Sequence, residues 1–266
     1  MDGEIVATGL RFPEGPVWDG ERLYLTEVEA GMVSRFVPGT GVEPHATTGG
    51  GPNGAALAGD GCLWVTQNGG MARESRVTPG IQRITADGAV ELVITDVAGV
   101  TLEGPNDLVF GPDGRLWFTD PRGPSDPARN DRPGRVFVVD VATGVGELVA
   151  ELGPVFPNGI AFLPDGSLVW TESFSRRVMA MPSPPGGQPE VVIELPERHF
   201  PDGLCVAADG TLFVASTFAH CVSIVVAGDI VDRLMCGDGM ITNCCFAGDD
   251  LYVTESRHGT LWRFSG

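Results

Sequence analysis

The sequence has few basic residues, and this shortage limits the partners that the protein can have. Its 266 residues include 35 acidic and 17 basic residues, the latter all arginine, for a formal net charge of −18. Nucleic acid and anionic membrane surfaces are poor partners for such a chain, because like charges repel. The acidic balance suits cation binding but does not establish it.

Several signals of location and of fold class are also missing. No segment has the length and apolarity of a membrane span, and the opening segment MDGEIVATGL does not resemble a signal peptide. We therefore expect a cytoplasmic protein. No amphipathic helix of useful length stands out, and no GxxxxGK[ST] phosphate loop is present. No Ser-His-Asp or Cys-His arrangement can be assembled from the spacing.

The cysteines lack the spacing of a metal site. No CxxC pair occurs among the six, and most of them lie in apolar strand contexts. We interpret them as buried free thiols rather than as disulfides or zinc ligands. They are Cys62, Cys205, Cys221, Cys236, Cys244 and Cys245.

What the chain does contain is one short pattern, repeated six times. The copies are PEGPVWDGERLYLT from Pro13, PNGAALAGDGCLWVT from Pro52, PNDLVFGPDGRLWFT from Pro105, PNGIAFLPDGSLVWT from Pro157, PDGLCVAADGTLFVA from Pro201 and TNCCFAGDDLYVT from Thr242. They begin roughly 40 to 50 residues apart, which is typical of β-propeller blades with four strands each. Each copy reads as strand A, a tight turn and strand B. An Asp-Gly turn between apolar runs is a strong hairpin signal, because both residues tolerate a positive φ.

The last copy is followed by too little chain for a complete blade. After Leu251–Thr254 only Thr260–Phe264 remains, so an outer strand is missing. The N-terminal segment Glu4–Thr8 can supply it, and closing the ring in this way removes two exposed sheet edges. We predict an all-β fold in one domain, residues 1–266: a six-bladed β-propeller with four antiparallel strands per blade, closed by the N-terminal strand. A monomer is sufficient, and the oligomeric state stays open.

The second residue of every copy carries a side-chain oxygen. If rotation about one axis relates the copies, these residues form a ring, consisting of Glu14, Asn53, Asn106, Asn158, Asp202 and Asn243. Asn or Asp at a strand start is often only a turn residue, and for Asn53 and Asn243 that interpretation is at least as good. A carboxylate facing a crowded channel, as at Glu14 and Asp202, needs a cation or donors. Hard oxygen ligands favour Ca²⁺, with Mn²⁺, Zn²⁺, Fe²⁺ or Mg²⁺ as alternatives.

The predicted topology places the B–C and D–A connections on the same face as the ring. Two B–C connections, Gln67–Gly80 and Asp120–Gly134, are long and polar, and long loops on a rigid scaffold are usually functional or mobile. Their arginines are Arg73, Arg76, Arg122, Arg129 and Arg132. Polar residues at the ends of the B strands could orient ligands: Glu27, Gln67, Asp120, Glu172 and Glu255. Of the histidines, His199, His220 and His258 fall near this face, although each reads more readily as a structural or exposed residue.

Four motifs in order carry a family signature. They are FPEGPVW at Phe12–Trp18, GPNDLVFGPDGRLWFTD at Gly104–Asp120, FPNGIAF at Phe156–Phe162 and FPDGL at Phe200–Leu204. The chain thereby resembles, over essentially its full length, the senescence-marker-protein/gluconolactonase (regucalcin-like) family of six-bladed propellers. The resemblance implies that Glu14, Asn158 and Asp202 hold a catalytic divalent cation. Asn106 then completes the metal shell or contacts the substrate.

One position departs from the animal members of that family. They have an arginine two residues before the asparagine of the Asn-Asp motif, where it helps to bind a sugar lactone, and this chain has Gly104 there. We therefore expect substrate recognition to differ, with the loop arginines as replacements. Asp120 and Arg122 are the substrate-binding candidates beside Asn106.

The resemblance implies hydrolysis of a small lactone. The cation would polarise the lactone carbonyl, and Asp202 would act as general base toward the attacking water. Phosphotriester or fluorophosphate hydrolysis at the same metal is an alternative, because a cation polarises P=O as readily as C=O. Non-hydrolytic ring chemistry and a non-catalytic binding propeller also stay open, although two convergent carboxylates argue against the last.

Overall fold

A ring of six sheets makes up the protein. The computed structural model describes residues 3–70, 76–182 and 187–266, and in these residues there is no helix. Six sheets each contain four antiparallel strands, and they follow one another along the chain. The predicted six-bladed β-propeller is therefore confirmed. Nothing in the described residues could cross a membrane as a helix.

Each blade runs from an inner strand A to an outer strand D. Blade 1 comprises β2 (Pro13–Trp18), β3 (Leu23–Glu27), β4 (Met32–Val37) and β5 (Gly41–Thr47). Blade 2 comprises β6 (Pro52–Leu57), β7 (Leu63–Gln67), β8 (Gly80–Ile84) and β9 (Val90–Ile94). A small hairpin, β10 (Asp96–Val97) and β11 (Val100–Thr101), leads to blade 3, which comprises β12 (Leu108–Phe110), β13 (Leu116–Asp120), β14 (Arg135–Val139) and β15 (Gly146–Glu151).

The second half repeats this arrangement. Blade 4 comprises β16 (Pro157–Phe162), β17 (Leu168–Glu172), β18 (Arg177–Met181) and β19 (Glu190–Glu194). Blade 5 comprises β20 (Pro201–Val206), β21 (Leu212–Ser216), β22 (Cys221–Val226) and β23 (Asp229–Met235). Blade 6 comprises β24 (Ile241–Ala247), β25 (Asp250–Glu255), β26 (Thr260–Phe264) and, from the start of the chain, β1 (Gly3–Ala7).

The ring closes as the sequence predicts. Strand β1 pairs antiparallel with β26, from Gly3 opposite Phe264 to Ala7 opposite Leu261. The side chains of Glu4 and Arg263 form an ion pair across this junction. The sixth blade therefore has its full four strands and no unpaired C-strand edge.

Apolar side chains fill the spaces between neighbouring blades. One cluster joins blades 2 and 3 through Trp64, Ile81, Phe118 and Phe137. Another joins blades 5 and 6 through Phe213, Val222 and Val253. All six cysteines are free, as predicted, and four of them are buried. Two of these four, Cys236 and Cys244, belong to the second cluster.

Near the axis, the inner strands are distorted at the motif residues. The A–B pairing shifts register beside the ring residue in blades 1, 2, 4, 5 and 6. A bulge of this kind re-aims side chains, here toward the channel. The glycine after the ring residue leaves room for the next blade: a Cβ on Gly15 would lie 2.4 Å from the carbonyl oxygen of Asn53. Gly15 also has φ of 43°, which favours glycine.

Buried threonines on the B strands tie adjacent blades together. The hydroxyls of Thr26, Thr66, Thr119 and Thr171 donate to the carbonyl oxygens of Asn53, Asn106, Asn158 and Asp202 at 2.5, 2.5, 2.7 and 2.6 Å. Each bond runs from one blade to the ring residue of the next blade. Blade 5 has Ala215 at this position and makes no such bond. We call these four bonds the threonine clasp.

We expect Thr171→Val to destabilise the protein by about 1–2 kcal/mol, because it removes a buried hydrogen bond and leaves the Asp202 carbonyl short of a donor. The free energy of unfolding from denaturant titration measures this effect. Thr40→Val, at an exposed position, is the matched control and should change the free energy of unfolding by less than about 0.5 kcal/mol. Equal effects of the two substitutions would show that the clasp adds no stability.

Candidate functional site

A cavity of about 690 Å³ opens at one end of the propeller axis. Its polar base includes five of the six predicted ring residues: Glu14, Asn53, Asn106, Asn158 and Asp202. Four of these are 3–9 % exposed, and Asn106 is partly buried. The structure thus brings the side chains that the repeats predict to one place. Asn243, the sixth, is buried and does not belong to the described lining of the cavity.

An additional carboxylate lies in the channel, and the ring prediction missed it. Asp107 is buried, and its Oδ2 accepts a hydrogen bond from the side-chain amide of Asn243 at 3.2 Å. A Cβ on Gly54 would lie 2.3 Å from its Oδ1, so Asp107 packs against the inner strand of blade 2. The sequence did contain a signal: Asp107 occupies the motif position where four other copies have glycine.

Burial raises the pKa values of the three channel carboxyl groups, and repulsion from neighbouring carboxylates adds to this at Asp202 and Glu14. Desolvation raises the pKa of Asp107 to about 6. Desolvation, followed by the charge of Asp107, raises the pKa of Asp202 to about 8. The pKa of Glu14 is raised well above its usual range by desolvation and then by Asp202 and Asp107. These groups can all ionise at neutral pH only if a positive charge compensates them.

The donors at the base of the cavity fit a hard divalent cation. Asn106 Oδ1 is buried and has no hydrogen-bond partner among the residues that the structure describes. The side-chain nitrogen of Asn158 donates to Ser173 Oγ at 3.3 Å, which leaves its oxygen for another contact. No group of three or more His, Cys, Asp or Glu side chains in the described part of the chain could hold a metal ion by itself. Amide oxygens would therefore have to complete the shell, as they commonly do for Ca²⁺.

Asp120, predicted to contact substrate, lies behind the cavity wall. It is fully buried, and its carboxylate accepts from the backbone N–H groups of Gly104 at 2.8 Å and Glu103 at 3.3 Å. Burial raises its pKa. It does not belong to the described lining of the cavity. Its contacts position the loop that precedes Asn106.

Three other B-strand ends act in the same way, whereas Glu172 accepts from the hydroxyl of Ser175 in its own B–C connection at 2.7 Å. The side chain of Glu27 accepts from the backbone N–H of Arg11 at 2.8 Å, and that of Glu255 accepts from Met240 at 2.9 Å. Gln67 accepts from Gly51 at 2.5 Å. These side chains therefore fix the backbone of the D–A loops that lead into the ring residues. Their role is structural, and they position the ring residues instead of contacting a ligand.

Arg122 lines the cavity, but its charge is already paired. Its guanidinium contacts the carboxylate of Glu103 at 2.7 Å and donates to the carbonyl oxygen of Pro133 at 3.2 Å. Glu103 is shared with Arg132, at 2.6 Å. At position 104 a Cβ would meet nothing within 4 Å, so the glycine leaves open space beside the ring.

Among the described residues, neither the other loop arginines nor the histidines line the cavity. Arg76 and Arg129 are exposed, and Arg73 lies outside the described residues. In the part of the chain that the structure describes, no histidine lines the cavity. His199 contacts Ser223 at 3.4 Å, and His220 contacts the carbonyl oxygen of Gly239 at 2.6 Å.

Phenylalanines form much of the upper wall, which sequence reasoning also missed. The five that line the cavity are Phe12, Phe156, Phe174, Phe200 and Phe218. Three of them directly precede the proline of the motifs that carry Glu14, Asn158 and Asp202. This regular position in FPEG, FPNG and FPDG was the available signal.

A six-bladed propeller with carboxylates and amides converging at its axis defines the class of this protein. Residues 12–257 match the family model described as SMP-30/gluconolactonase/LRE-like region. The chain belongs to this family, which confirms the resemblance seen in the motifs.

Named relatives match most of the chain. Pentonolactonase XacC of Haloferax volcanii is 30 % identical, over 95 % of this chain and 84 % of its own length. The gluconolactonase of Zymomonas mobilis is 25 % identical, over 96 % of this chain and 79 % of its own length. Among solved structures, the gluconolactonase XC5397 from Xanthomonas campestris superimposes with a TM-score of 0.82 at 24 % identity, covering 98 % of this chain and 88 % of that one. This last similarity shows the shared fold.

We expect Asp107→Asn to stabilise the chelator-treated protein, and to do so increasingly as the pH rises. A carboxyl whose pKa is raised by folding contributes stability that is present below its unfolded pKa, about 4, and is lost as the pH rises through the folded value. For Asp107 this stability is lost between about pH 4 and about pH 6. For Asp202 it is lost between about pH 4 and about pH 8. Melting temperatures across this pH range follow the effect. At pH 8 the free energy of unfolding of Asp107→Asn should exceed that of the unmodified protein by on the order of 2 kcal/mol.

The exposed Asp232→Asn is the control for this change, since it removes the same charge outside the channel. It should leave the slope of melting temperature against pH almost unchanged. If Asp107→Asn and Asp232→Asn gave the same slope, repulsion among the channel carboxylates would be refuted.

Proposed function

We propose that this protein hydrolyses a small lactone at the axial cavity, with one divalent cation bound by Glu14, Asn158, Asp202 and Asn106. The observation that carries the proposal is the convergence of two carboxylates and buried amide oxygens at the base of a cavity large enough for a cyclic ester. One of these amide oxygens has no hydrogen-bond partner within the described ranges of the chain. Membership of a family whose relatives include a gluconolactonase and a pentonolactonase supports the choice of lactones. The all-oxygen donor set favours Ca²⁺.

A bound divalent cation would supply Lewis-acid polarisation of the lactone carbonyl. The protein's own part is to bind the ester and to move a proton. Asp202 Oδ would accept a proton from a water molecule whose oxygen bonds to the carbonyl carbon. The ring C–O bond then breaks, and the proton passes to the departing alkoxide oxygen, giving the open hydroxy acid. Asp202 is thus the general base.

The surroundings of Asp202 support this role. Its backbone carbonyl is held by Thr171 at 2.6 Å, and its side chain is hydrogen-bonded by that of Asn158. Asn158 in turn contacts Ser173, whose hydroxyl donates to the carbonyl oxygen of Pro201 at 2.7 Å. These contacts fix the carboxylate against neighbouring strands rather than on a loop, as a positioned base requires.

A pH-indicator assay on a panel of lactones tests the reaction, using chelator-treated protein with Ca²⁺, Mn²⁺, Zn²⁺, Fe²⁺ or Mg²⁺ added back. We expect acid release only with a cation present, and Asp202→Asn should reduce kcat by at least about 100-fold because the base is lost. Asp209→Asn, at an exposed turn of the same blade, is the matched control and should retain activity.

Near-normal turnover by Asp202→Asn would remove Asp202 from the mechanism. Full activity after exhaustive chelation would refute the need for a cation. Failure of every lactone with every cation would reject lactone hydrolysis itself.

Glu14→Gln should weaken divalent-cation affinity by at least about tenfold, because it removes one of two charged oxygen ligands from a buried site. Isothermal titration of the chelated protein with Ca²⁺ measures this directly, without any substrate. The exposed Glu21→Gln, in the same blade, is the control and should bind like the unmodified protein. Unchanged affinity of Glu14→Gln would mean that the cation does not bind at this ring.

A further inference from the structure

The cavity is divided into an apolar half and a polar half. Blades 1, 4, 5 and 6 contribute the five phenylalanines together with Met240. Blades 2 and 3 contribute Asn68 and the loop that carries Arg122 and Asp126. A ligand seated over the base therefore has an aromatic wall on one side and polar groups on the other.

The aromatic wall is built twice by the same arrangement. In blade 4 a phenylalanine of the D–A loop, Phe156, packs on one of the B–C loop, Phe174, with ring centroids 4.9 Å apart. In blade 5 Phe200 and Phe218 pair at 5.4 Å. In both blades a backbone hydrogen bond joins the loops: Ser173 N–H donates to Phe156 at 3.0 Å, and Thr217 N–H to Phe200 at 3.1 Å.

Two of the five cavity phenylalanines have an unfavourable backbone conformation. Phe12 and Phe156 have φ of 56° and 55°, in the left-handed region that bulky residues avoid. Strain of this kind concentrates at ligand sites, where the surrounding structure enforces it. Phe218, the B–C loop member of the blade 5 pair, is 52 % exposed at the mouth of the cavity. The exposed part of this apolar side chain is available for a ligand to cover.

Polar groups on this half have little left to offer a hydroxylated ligand. The hydroxyl of Ser173 already donates to Pro201 at 2.7 Å, and that of Thr217 donates to Phe200 at 3.2 Å. On the other half, Arg122 is paired with Glu103. A polyhydroxylated lactone could meet Asn68 and Asp126 on that half, but its hydroxyls on the phenylalanine side would stay unmatched, which is costly.

We infer that the cavity selects a neutral lactone bearing an apolar alkyl or aryl substituent, which packs between the two phenylalanine pairs while the ester faces the base. This inference rests on the proposed lactone hydrolysis and adds the substrate class. The acidic base disfavours anionic substituents, because Glu14, Asp107 and Asp202 lie there. The phenylalanines of blades 4 and 5 are then the specificity-determining residues.

Turnover of δ-valerolactone, δ-decalactone and glucono-δ-lactone by the cation-loaded protein tests the inference. Each buried methylene should raise kcat/KM about three- to fourfold, so δ-decalactone should exceed δ-valerolactone by at least about 30-fold. Phe218→Ala should reduce that ratio about tenfold, and Phe218→Leu should restore most of it. The exposed Val231→Ala, on an outer strand, should leave the ratio unchanged.

A binding measurement separates this inference from the proposed reaction. A pentyl-substituted δ-lactam, which resists hydrolysis, should bind at least about 30-fold more tightly than unsubstituted δ-valerolactam in isothermal titration. Equal binding of the two lactams, or a higher kcat/KM for glucono-δ-lactone than for δ-decalactone, would overturn the inference and leave lactone hydrolysis standing. Tighter binding of the pentyl lactam without turnover of any lactone would support the apolar selection and contradict the proposed reaction.

Discussion

Where the inner strands meet near the axis, most of their backbones approach more closely than an ordinary side chain allows. In four of the six blades a glycine after the ring residue removes the Cβ that would strike the next blade, as at Gly15 against Asn53. The threonine clasp then fixes four of the six ring residues, each through its own carbonyl oxygen. The spacing of the channel side chains is therefore set by contacts between blades, and the site is as rigid as the ring itself.

That rigidity has an electrostatic consequence. Glu14, Asp107 and Asp202 are held together in a buried channel from which they cannot turn away. A flexible site would relax by exposing its charges to water, whereas this one must take up protons or a cation. The same packing that stabilises the fold thus keeps three carboxyl groups in an unfavourable state, which is typical of functional sites.

The sequence predicted the fold well because the repeat carries its own geometry. The spacing of six copies, five of them with an Asp-Gly turn, implied six hairpins. The short final copy implied closure by Glu4–Thr8, close to the observed β1 (Gly3–Ala7). The ring residues were also predictable, because equivalent positions in repeats related by rotation lie at the same distance from the propeller axis. Asp107 was missed because the ring was read from a single motif position, and this carboxylate is one residue further along.

The loops were less predictable for a physical reason. Where a B–C loop folds depends on partners distant in the sequence: Arg122 is drawn to Glu103, and the Asn130 side chain donates to the carbonyl oxygens of Arg122 and Pro124 at 2.8 and 2.9 Å. Counting arginines in the loop could not show that this charge is neutralised. Nor could it show that Asp120 faces the backbone of Gly104 rather than the cavity.

The pairing of β1 with β26 also determines the order in which the molecule can be completed. Gly3 and Phe264 lie opposite each other although almost the whole chain separates them. This contact closes the longest loop in the protein, so it carries the largest closure entropy and is available only after the last strand has been synthesised. During translation the first five blades can form in sequence, but the ring stays open until β26 has left the ribosome. Contacts across the finished ring, such as the hydrogen bond between Asp107 and Asn243 in the channel, therefore also form late.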